Sequence, residues 1–338
     1  MKDRKKDHIE LAFEGRTSSG ELDPRFSYEP MMAAHPDEDG EWFEFLGKRM
    51  QAPIWISSMT GGTEKAGMIN RNLARVCHEF GLGMGLGSCR VLLKSDEHLD
   101  DFDLRGILGD ELPFYANLGI AQVEELVLSG DISPVEKLVA RLGADGLVIH
   151  VNPLQEWLQP EGNRFHQPPI LTIQEFLEMS GMRLIVKEVG QGMGEESLRS
   201  LLALPLEALE FAAYGGTNFS RVEMLRSDSP AREFMEPLSH VGHNAIDMIR
   251  MLNRIIDGGE PVECRQIIVS GGIRNFLDGY YLTGKCHLPA IYGQASEFLK
   301  HASASYEELS AFAGSQIEGL KIARAFLRIN NGYNEKER

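Results

Sequence analysis

The stretch V-I-H-V-N-P-L-Q-E at residues 148–156 predicts a buried strand that ends in a cluster of polar groups. The apolar run that begins at residue 146 stops at His150, and Pro153 prevents a regular strand from continuing. Four side chains able to donate, accept or ligate a metal follow closely: His150, Asn152, Gln155 and Glu156. Such a cluster is typical of a site on a barrel or a doubly wound sheet, but this stretch alone fits a polar loop equally well.

The same alternation of apolar strand and amphipathic helix continues through most of the chain. Eight strands are predicted at residues 54–59, 82–86, 114–118, 147–149, 184–189, 209–213, 267–270 and 290–292. Helical patterns lie between them, the clearest at residues 64–80, 121–128, 134–142, 195–204 and 241–256. One unbroken series of eight units predicts the α/β class and a single (β/α)8 TIM barrel. A doubly wound sheet of two domains is the alternative, although no linker divides the chain.

The barrel is predicted to span residues 51–330. Residues 1–50 show no clear strand periodicity and form an N-terminal extension, and residues 331–338 form a polar tail. The extension opens with basic residues and a short helical pattern at residues 7–14. It is predicted either to be a solvated arm or to bring cations to a pocket of this chain or of a neighbouring subunit.

Composition excludes several classes of protein. The net charge of −16 over 338 residues disfavours non-specific binding to nucleic acid. No apolar run reaches the roughly 18 residues of a membrane span, and the charged N-terminus lacks the apolar region of a secretory signal. The four cysteines show no C-x-x-C spacing, so they predict neither a disulfide frame nor a zinc ribbon. We expect a cytoplasmic protein.

Glycines follow the last three predicted strands, in pairs after the first two of them. Gly215-Gly216, Gly271-Gly272 and Gly293 fall where a barrel commonly binds phosphate through backbone N–H groups. They favour a phosphate-bearing cofactor. In the second strand, four alternating glycines leave one face bare, for a stacked planar ring or for tight core packing: Gly81, Gly83, Gly85 and Gly87.

Two further patterns are weaker. G-Y-Y-L-T-G-K-C at residues 279–286 has P-loop spacing, but Cys286 replaces the metal-binding hydroxyl and the stretch lies inside a predicted helix. His240 and His243 could share a helix face as metal ligands, but no third ligand accompanies them, which favours a surface pair.

Eight motifs occur in order along almost the whole chain. They are R-K-x-x-H at 4–8, M-T-G-G at 59–62, G-S-x-R at 87–90, A-N-L-G at 116–119, H-x-N-P-x-Q-E at 150–156, K-E-x-G-x-G at 187–192, G-G-T-N at 215–218 and S-G-G-I-R at 270–274. Together they resemble the type 2 isopentenyl-diphosphate isomerases. No single motif is specific, but the combination is.

The resemblance implies an FMN-dependent (β/α)8 enzyme that interconverts isopentenyl and dimethylallyl diphosphate. It implies Mg2+, NADPH or NADH as the reductant of the flavin, and a homotetramer or homo-octamer. The flavin would be held by Ser58, Met59, Thr60, Ser88, Asn117, Lys187, Thr217, Gly271, Gly272, Arg274, Gln294 and Ala295. The substrate would be surrounded by Arg4, Lys5, His8, Arg90, His150, Asn152 and Gln155, the last three being the candidate catalytic residues. Glu156 would ligate the metal.

General chemistry agrees with that implication. A diphosphate needs charge-assisted donors, such as Arg90 and Lys5, and an oxygen-ligated cation, which Glu156 can bind. Moving an unactivated double bond requires protonation at one carbon and loss of a proton from another. A reduced flavin can supply such a proton shuttle, and Lys187 near the N1 side of the flavin would stabilise its anionic form. We expect Gln155 to position groups rather than to act as the acid.

The chain departs from the family pattern at three places. Cys89 stands where the family commonly has Gln, Ala212-Ala213 replace a glycine-containing turn, and the eighth strand lacks the usual G-A-D pattern. Two other functions therefore stay open. One is another FMN-dependent barrel oxidoreductase, and the other is a catalytically lapsed flavin-binding or scaffold protein.

Overall fold

The structure is a computed structural model that describes residues 4–37, 42–57, 63–227 and 232–332. The strands in the described part are β1 Phe26–Tyr28, β2 Phe43–Phe45, β3 Lys48–Met50, β4 Ile54–Ile56, β5 Gly83–Gly85, β6 Phe114–Gly119, β7 Gly146–His150, β8 Leu184–Lys187, β9 Ala208–Glu210, β10 Ile267–Ser270, β11 Ala290–Gln294 and β12 Leu327–Ile329. The helices there are α1 Arg4–Leu11, α2 Glu64–Phe80, α3 Arg105–Leu108, α4 Ile120–Ser129, α5 Ser133–Arg141, α6 Pro153–Leu158, α7 Pro169–Met179, α8 Glu195–Leu202, α9 Phe219–Arg226, α10 Arg232–Met235, α11 Ala245–Asp257, α12 Phe276–Lys285, α13 Ser296–Ala304 and α14 Tyr306–Phe326.

Strands β4 to β11 pair in parallel, in chain order, and close into a barrel. Closure is made by β11 against β4, where Tyr292 and Gln294 align with Ile54 and Ile56. The strands are short runs of apolar residues, as in I-I-V-S of β10, because both of their faces are buried. The predicted (β/α)8 TIM barrel is confirmed.

Polar caps mark the start of several helices around the barrel. Thr63 accepts a hydrogen bond from the N–H of Ala66 at the start of α2, and Asn244 accepts one from the N–H of Asp247 in α11. Helix α2 ends at Gly81, whose φ of 62° is the left-handed conformation that glycine adopts freely. The acidic stretch at residues 96–107 forms only a 3₁₀ turn, Leu99–Asp101, and the short α3.

The hairpin β2–β3 closes the end of the barrel where the strands begin. Phe45, Leu46 and Met50 are fully buried against the inward-facing side chains of the barrel. The backbone N–H of Leu46 donates to Oε1 of Gln266, just before β10, over 2.8 Å. Sequence periodicity predicts no strand in residues 1–50, because strands of three residues are too short to show a period. This part of the extension packs under the barrel rather than over a pocket.

The rest of the described extension lies outside the barrel. Strand β1 pairs antiparallel with β12 near the end of the chain. Helix α1 begins at Arg4, three residues before the predicted start, and none of its residues is buried. Within the described residues, every helix is too short or too polar to cross a membrane.

Tight core packing explains the glycine with which β5 begins. A Cβ on Gly83 would lie 2.8 Å from Cζ3 of Trp55, whose ring fills the barrel interior. The strand face is therefore bare because an indole from the neighbouring strand covers it, and no planar ligand is needed there.

Replacing Gly83 by Ala should lower the free energy of unfolding by about 1–3 kcal/mol, since the buried Trp55 ring has no room to move. Urea titration followed by tryptophan fluorescence measures the change. Gly106→Ala in α3 is the matched control, because a Cβ there meets nothing within 4 Å and should stabilise the helix slightly. Equal stability of Gly83→Ala and the parent would contradict this packing.

Candidate active site

A cavity opens at the C-terminal ends of β8 to β11 and of β4. Its lining combines one cation, one anion, three serines and a set of mostly small residues: Ser57, Lys187, Val189, Gly190, Glu210, Ala212, Ala213, Gly216, Thr217, Phe219, Ser270, Gly271, Gly272, Ile273, Gly293, Gln294, Ala295 and Ser296. Small residues at strand ends leave space for a ligand directly above the packed core of the barrel.

Two glycine pairs pack against each other in the lining of this cavity. A Cβ on Gly216 would lie 3.2 Å from the backbone N of Gly272, and Gly271 and Gly272 have φ values of 93° and 74°. Helix α13 begins beside them after Ala295, and no side chain of the described residues caps its first N–H groups. Glycine turns that expose N–H groups next to an open helix N-terminus form an anion site, which agrees with the phosphate quadrant predicted from the sequence.

Ala212 holds the turn that leads to Gly215 in an unusual conformation. Its φ is 44°, a left-handed value that costs a residue with a Cβ about 1–2 kcal/mol. Its N–H donates to Oγ of Ser270 over 2.9 Å, and its carbonyl accepts from the N–H of Gly192. The departure from the family at this position thus changes the residue and keeps the glycine-like turn.

A second group of polar residues surrounds the end of β7. Nδ1 of His150 lies 2.7 Å from Oδ1 of Asn117, so this nitrogen carries the hydrogen and Nε2 is left to accept. Burial, together with the charges of Lys187 and Arg90, lowers the pKa of His150 to about 3. His150 is therefore neutral at physiological pH.

The amide and carboxyl groups that follow β7 form one hydrogen-bonded chain. Nδ2 of Asn152 donates to Oε1 of Gln155 and to Oε1 of Glu156, over 3.1 and 3.2 Å. Nε2 of Gln155 donates in turn to Oε1 of the buried Glu223 on α9. The N–H of Asn163 donates to Oε2 of Glu156 over 2.7 Å. Three predicted site residues are thus brought together and their side chains are held in fixed orientations.

Several other predicted site residues lie apart from the cavity. Arg90 is exposed but close enough to affect His150, and Ser88 is exposed on the same loop. Arg274 is exposed beyond the glycine pair, where its N–H donates to Asp278. The side chains of Arg4, Lys5 and His8 lie on the exposed α1. Ser58, Met59 and Thr60 fall outside the described residues.

Two carboxylates at the site were missed from the sequence. Glu210 is fully buried at the end of β9, and Glu223 is buried where it contacts Gln155. A charged residue between Leu209 and Phe211, in the middle of an apolar run, is a signal that could have identified Glu210. Glu223 sits in an ordinary amphipathic helix and gives no such signal.

No group of three or more His, Cys, Asp or Glu side chains placed to hold a metal occurs in the described ranges. Cys89, one of the three departures from the family, packs into the core, and burial raises the pKa of its thiol to about 12.

Known proteins resemble the chain over almost its full length. A relative from Rickettsia felis is 36% identical over 326 residues, which is 95% of this chain and 91% of the relative. A relative from Rickettsia africae is 37% identical over 328 residues, which is 95% and 92%. Both are named isopentenyl-diphosphate delta-isomerase. This chain belongs to the isopentenyl-diphosphate delta-isomerase family. The resemblance to its type 2 members and the assignment as an isomerase are confirmed.

The fold of this family member is shared by distant flavoproteins. A flavocytochrome b2 variant with benzoylformate matches with a TM-score of 0.60 at 12% identity, over 92% of this chain and 79% of that one. A mandelate oxidase variant solved with an FMN adduct matches with a TM-score of 0.53 at 12% identity, over 90% and 88%. At this identity the likeness concerns the fold alone. No protein-family model matches the chain.

The low pKa of His150 predicts how stability depends on pH. The unfolded chain binds a proton at this histidine below about pH 6.5, whereas the folded chain does so only near pH 3. The contribution of His150 to stability is therefore complete above pH 6.5 and is lost as the pH falls towards 3, by at most about 1.4 kcal/mol per pH unit.

Urea unfolding of the parent and of His150→Asn at pH 7, 6, 5 and 4 measures this contribution. The difference in free energy of unfolding between the two proteins should move in favour of the variant as the pH falls below 6.5. Carboxylates elsewhere titrate in both proteins and cancel in the difference. A difference that is the same at all four pH values would show that His150 is not held neutral by the fold.

Proposed function

We propose that this protein interconverts isopentenyl diphosphate and dimethylallyl diphosphate, with FMN and Mg2+ at the C-terminal face of the barrel. The observation that supports this most is the hydrogen-bonded chain of Asn152, Gln155 and Glu156 beside the neutral His150. This cluster belongs to one of the motifs that resemble the family, and the cavity with its glycine turns adjoins it through Lys187, which pairs with His150 in register.

The cavity residues fit a flavin mononucleotide. The N–H groups around Gly271, Gly272 and Ala295 would hold its phosphate, with Thr217 and Gln294 beside them. Lys187 would lie at the other end, close to the polar edge of the ring, and Asn117 at the end of β6 would contact the ring from its own strand. When bound and reduced by NADPH or NADH, FMN would supply the group that gives and takes protons at the alkene.

The residues around β7 would hold the substrate. Arg90 lies close enough to His150 to help lower its pKa and would pair with the diphosphate. Glu156 would place one carboxylate on Mg2+, which commonly takes one or two protein carboxylates and completes its shell with substrate phosphate and water. Asn152 and Gln155 would fix the position of the carboxylate and of the carbon chain, and neutral His150 would accept a hydrogen bond without adding charge beside a developing carbocation.

We further propose that the protein is a cytoplasmic homotetramer or homo-octamer. Helix α1 carries Arg4, Lys5 and His8 without burying any residue in its own chain. The apolar side chains of Ile9 in α1 and of Phe13 just after it are more than two-thirds exposed. A neighbouring subunit would cover these groups and receive the cations at its substrate pocket.

Purified protein with isopentenyl diphosphate, FMN, Mg2+ and NADPH, under anaerobic conditions, should form dimethylallyl diphosphate. We expect turnover to be lost when any of the three additions is omitted. Product analysis by phosphate-labelled substrate and chromatography measures it. Flavin that is bound and reduced without isomerisation would favour another FMN-dependent barrel oxidoreductase, and a protein that takes up no flavin would favour a non-catalytic binding role.

Replacing Glu156 by Gln should raise the Mg2+ concentration for half-maximal activity about tenfold or more, because an anionic ligand becomes neutral. Binding of FMN, measured by the quenching of its fluorescence, should be unchanged. Glu178→Gln on the exposed face of α7 is the matched control and should behave as the parent. A normal Mg2+ dependence in Glu156→Gln would remove this residue from the metal site.

A further inference from the structure

The carboxyl group of Glu210 is anchored on one side and open on the other. Its Oε1 accepts hydrogen bonds from Oγ of Ser57 over 2.6 Å and from Oγ of Ser270 over 3.0 Å. Its Oε2 is buried and has no hydrogen-bond partner among the residues that the structure describes. The side chain is fully buried and lines the cavity. Leaving such an oxygen without a donor is costly, so a ligand is expected to supply one.

The surrounding packing keeps this carboxyl in place. A Cβ on Gly293 would lie 2.6 Å from Oγ of Ser57 and 2.8 Å from Cβ of Ser270, so the glycine leaves room for the two serines. Oγ of Ser270 also accepts the N–H of Ala212, which fixes the direction in which its own hydrogen points. Both hydroxyls are thus directed at Oε1, and Oε2 is left for the cavity.

The order of strands decides what donor can reach Oε2. Lys187 ends β8, Glu210 ends the adjacent β9, and the glycine turns that form the anion site follow β9 and β10. A ligand with an acceptor-rich ring edge at Lys187 and a phosphate at the glycine turns must therefore cross above Glu210. The part of FMN between its ring and its phosphate is a chain of five carbons, of which the middle three carry hydroxyl groups. Hydroxyl groups are good donors to a carboxylate.

We propose that Glu210 is the acceptor for the hydroxylated chain of the flavin and makes the cavity selective for flavins that carry those hydroxyls. This inference rests on the proposed use of FMN. It assigns a function to Oε2 of Glu210 and to the two serines that bind Oε1. It also gives each part of the ligand its own contact: a cation for the ring edge, a carboxylate for the hydroxylated chain and backbone N–H groups for the phosphate.

A thermodynamic cycle of two proteins and two ligands tests the contact between Glu210 and the hydroxyl groups of the flavin. The proteins are the parent and Glu210→Gln, in which the serines retain an oxygen while an amide NH2 takes the place of Oε2. The ligands are FMN and an analogue with an N10-pentyl chain ending in the same phosphate, which lacks only the hydroxyls. Dissociation constants are measured by quenching of flavin fluorescence.

We expect Glu210→Gln to bind FMN about tenfold more weakly than the parent does, because a charge-assisted hydrogen bond is lost. The pentyl analogue should bind both proteins equally. Equal losses for both ligands, or no loss for FMN, would overturn the role of Glu210. A parent protein that binds neither ligand would instead contradict the proposed cofactor, so the two failures are distinguishable.

Two further variants guard against a folding defect. Glu210→Asp keeps the negative charge and should lose less affinity for FMN than Glu210→Gln, again without effect on the analogue. Glu124→Gln changes another buried carboxyl, which accepts the N–H groups of His166 and Gln167 away from the cavity. It should lower stability and leave both dissociation constants unchanged. Weaker FMN binding in Glu124→Gln would show that the effect of Glu210→Gln is only structural.

Discussion

Closure of the eight parallel strands is the constraint on which every other feature depends. Because β11 pairs with β4 in parallel, all eight strand ends meet at one rim. The hairpin β2–β3 fills the opposite end of the barrel with Phe45, Leu46 and Met50. Polar side chains that end a strand can therefore lie only at the open rim, which gathers residues far apart in sequence, such as Ser57, Glu210 and Ser270, into one cluster.

The rim carries a cation and an anion, each of which forms hydrogen bonds to other groups. Lys187 and Glu210 line the same cavity on adjacent strands, and each has its own anchor: the carbonyl of Glu188 for the ammonium and two serine hydroxyls for the carboxylate. His150 lies next to Lys187 and stays neutral because burial and that cation oppose its protonation. A ligand at the rim therefore contacts a donor at Lys187, an acceptor at Glu210 and a neutral imidazole at His150.

The barrel could be predicted from the sequence because each strand is an apolar run bounded by polar or glycine residues, and the helices between them have clear periodicity. The cluster from His150 to Glu156 was visible for the same reason. The hairpin could not be predicted, since its strands have three residues and their partners, such as Gln266, lie far along the chain. Glu223 was missed because only the folded chain places α9 against Gln155.

Closure also determines when the protein can fold. Strand β4 finds one of its two neighbours in β11, and Leu46 finds its hydrogen-bond partner in Gln266, so both contacts join the beginning of the chain to its last third. Contacts between residues so distant in sequence slow folding. A nascent chain that lacks β11 exposes the edges of β4 and β10. During synthesis β4 therefore keeps one unpaired edge until β11, near the end of the polypeptide, has emerged from the ribosome.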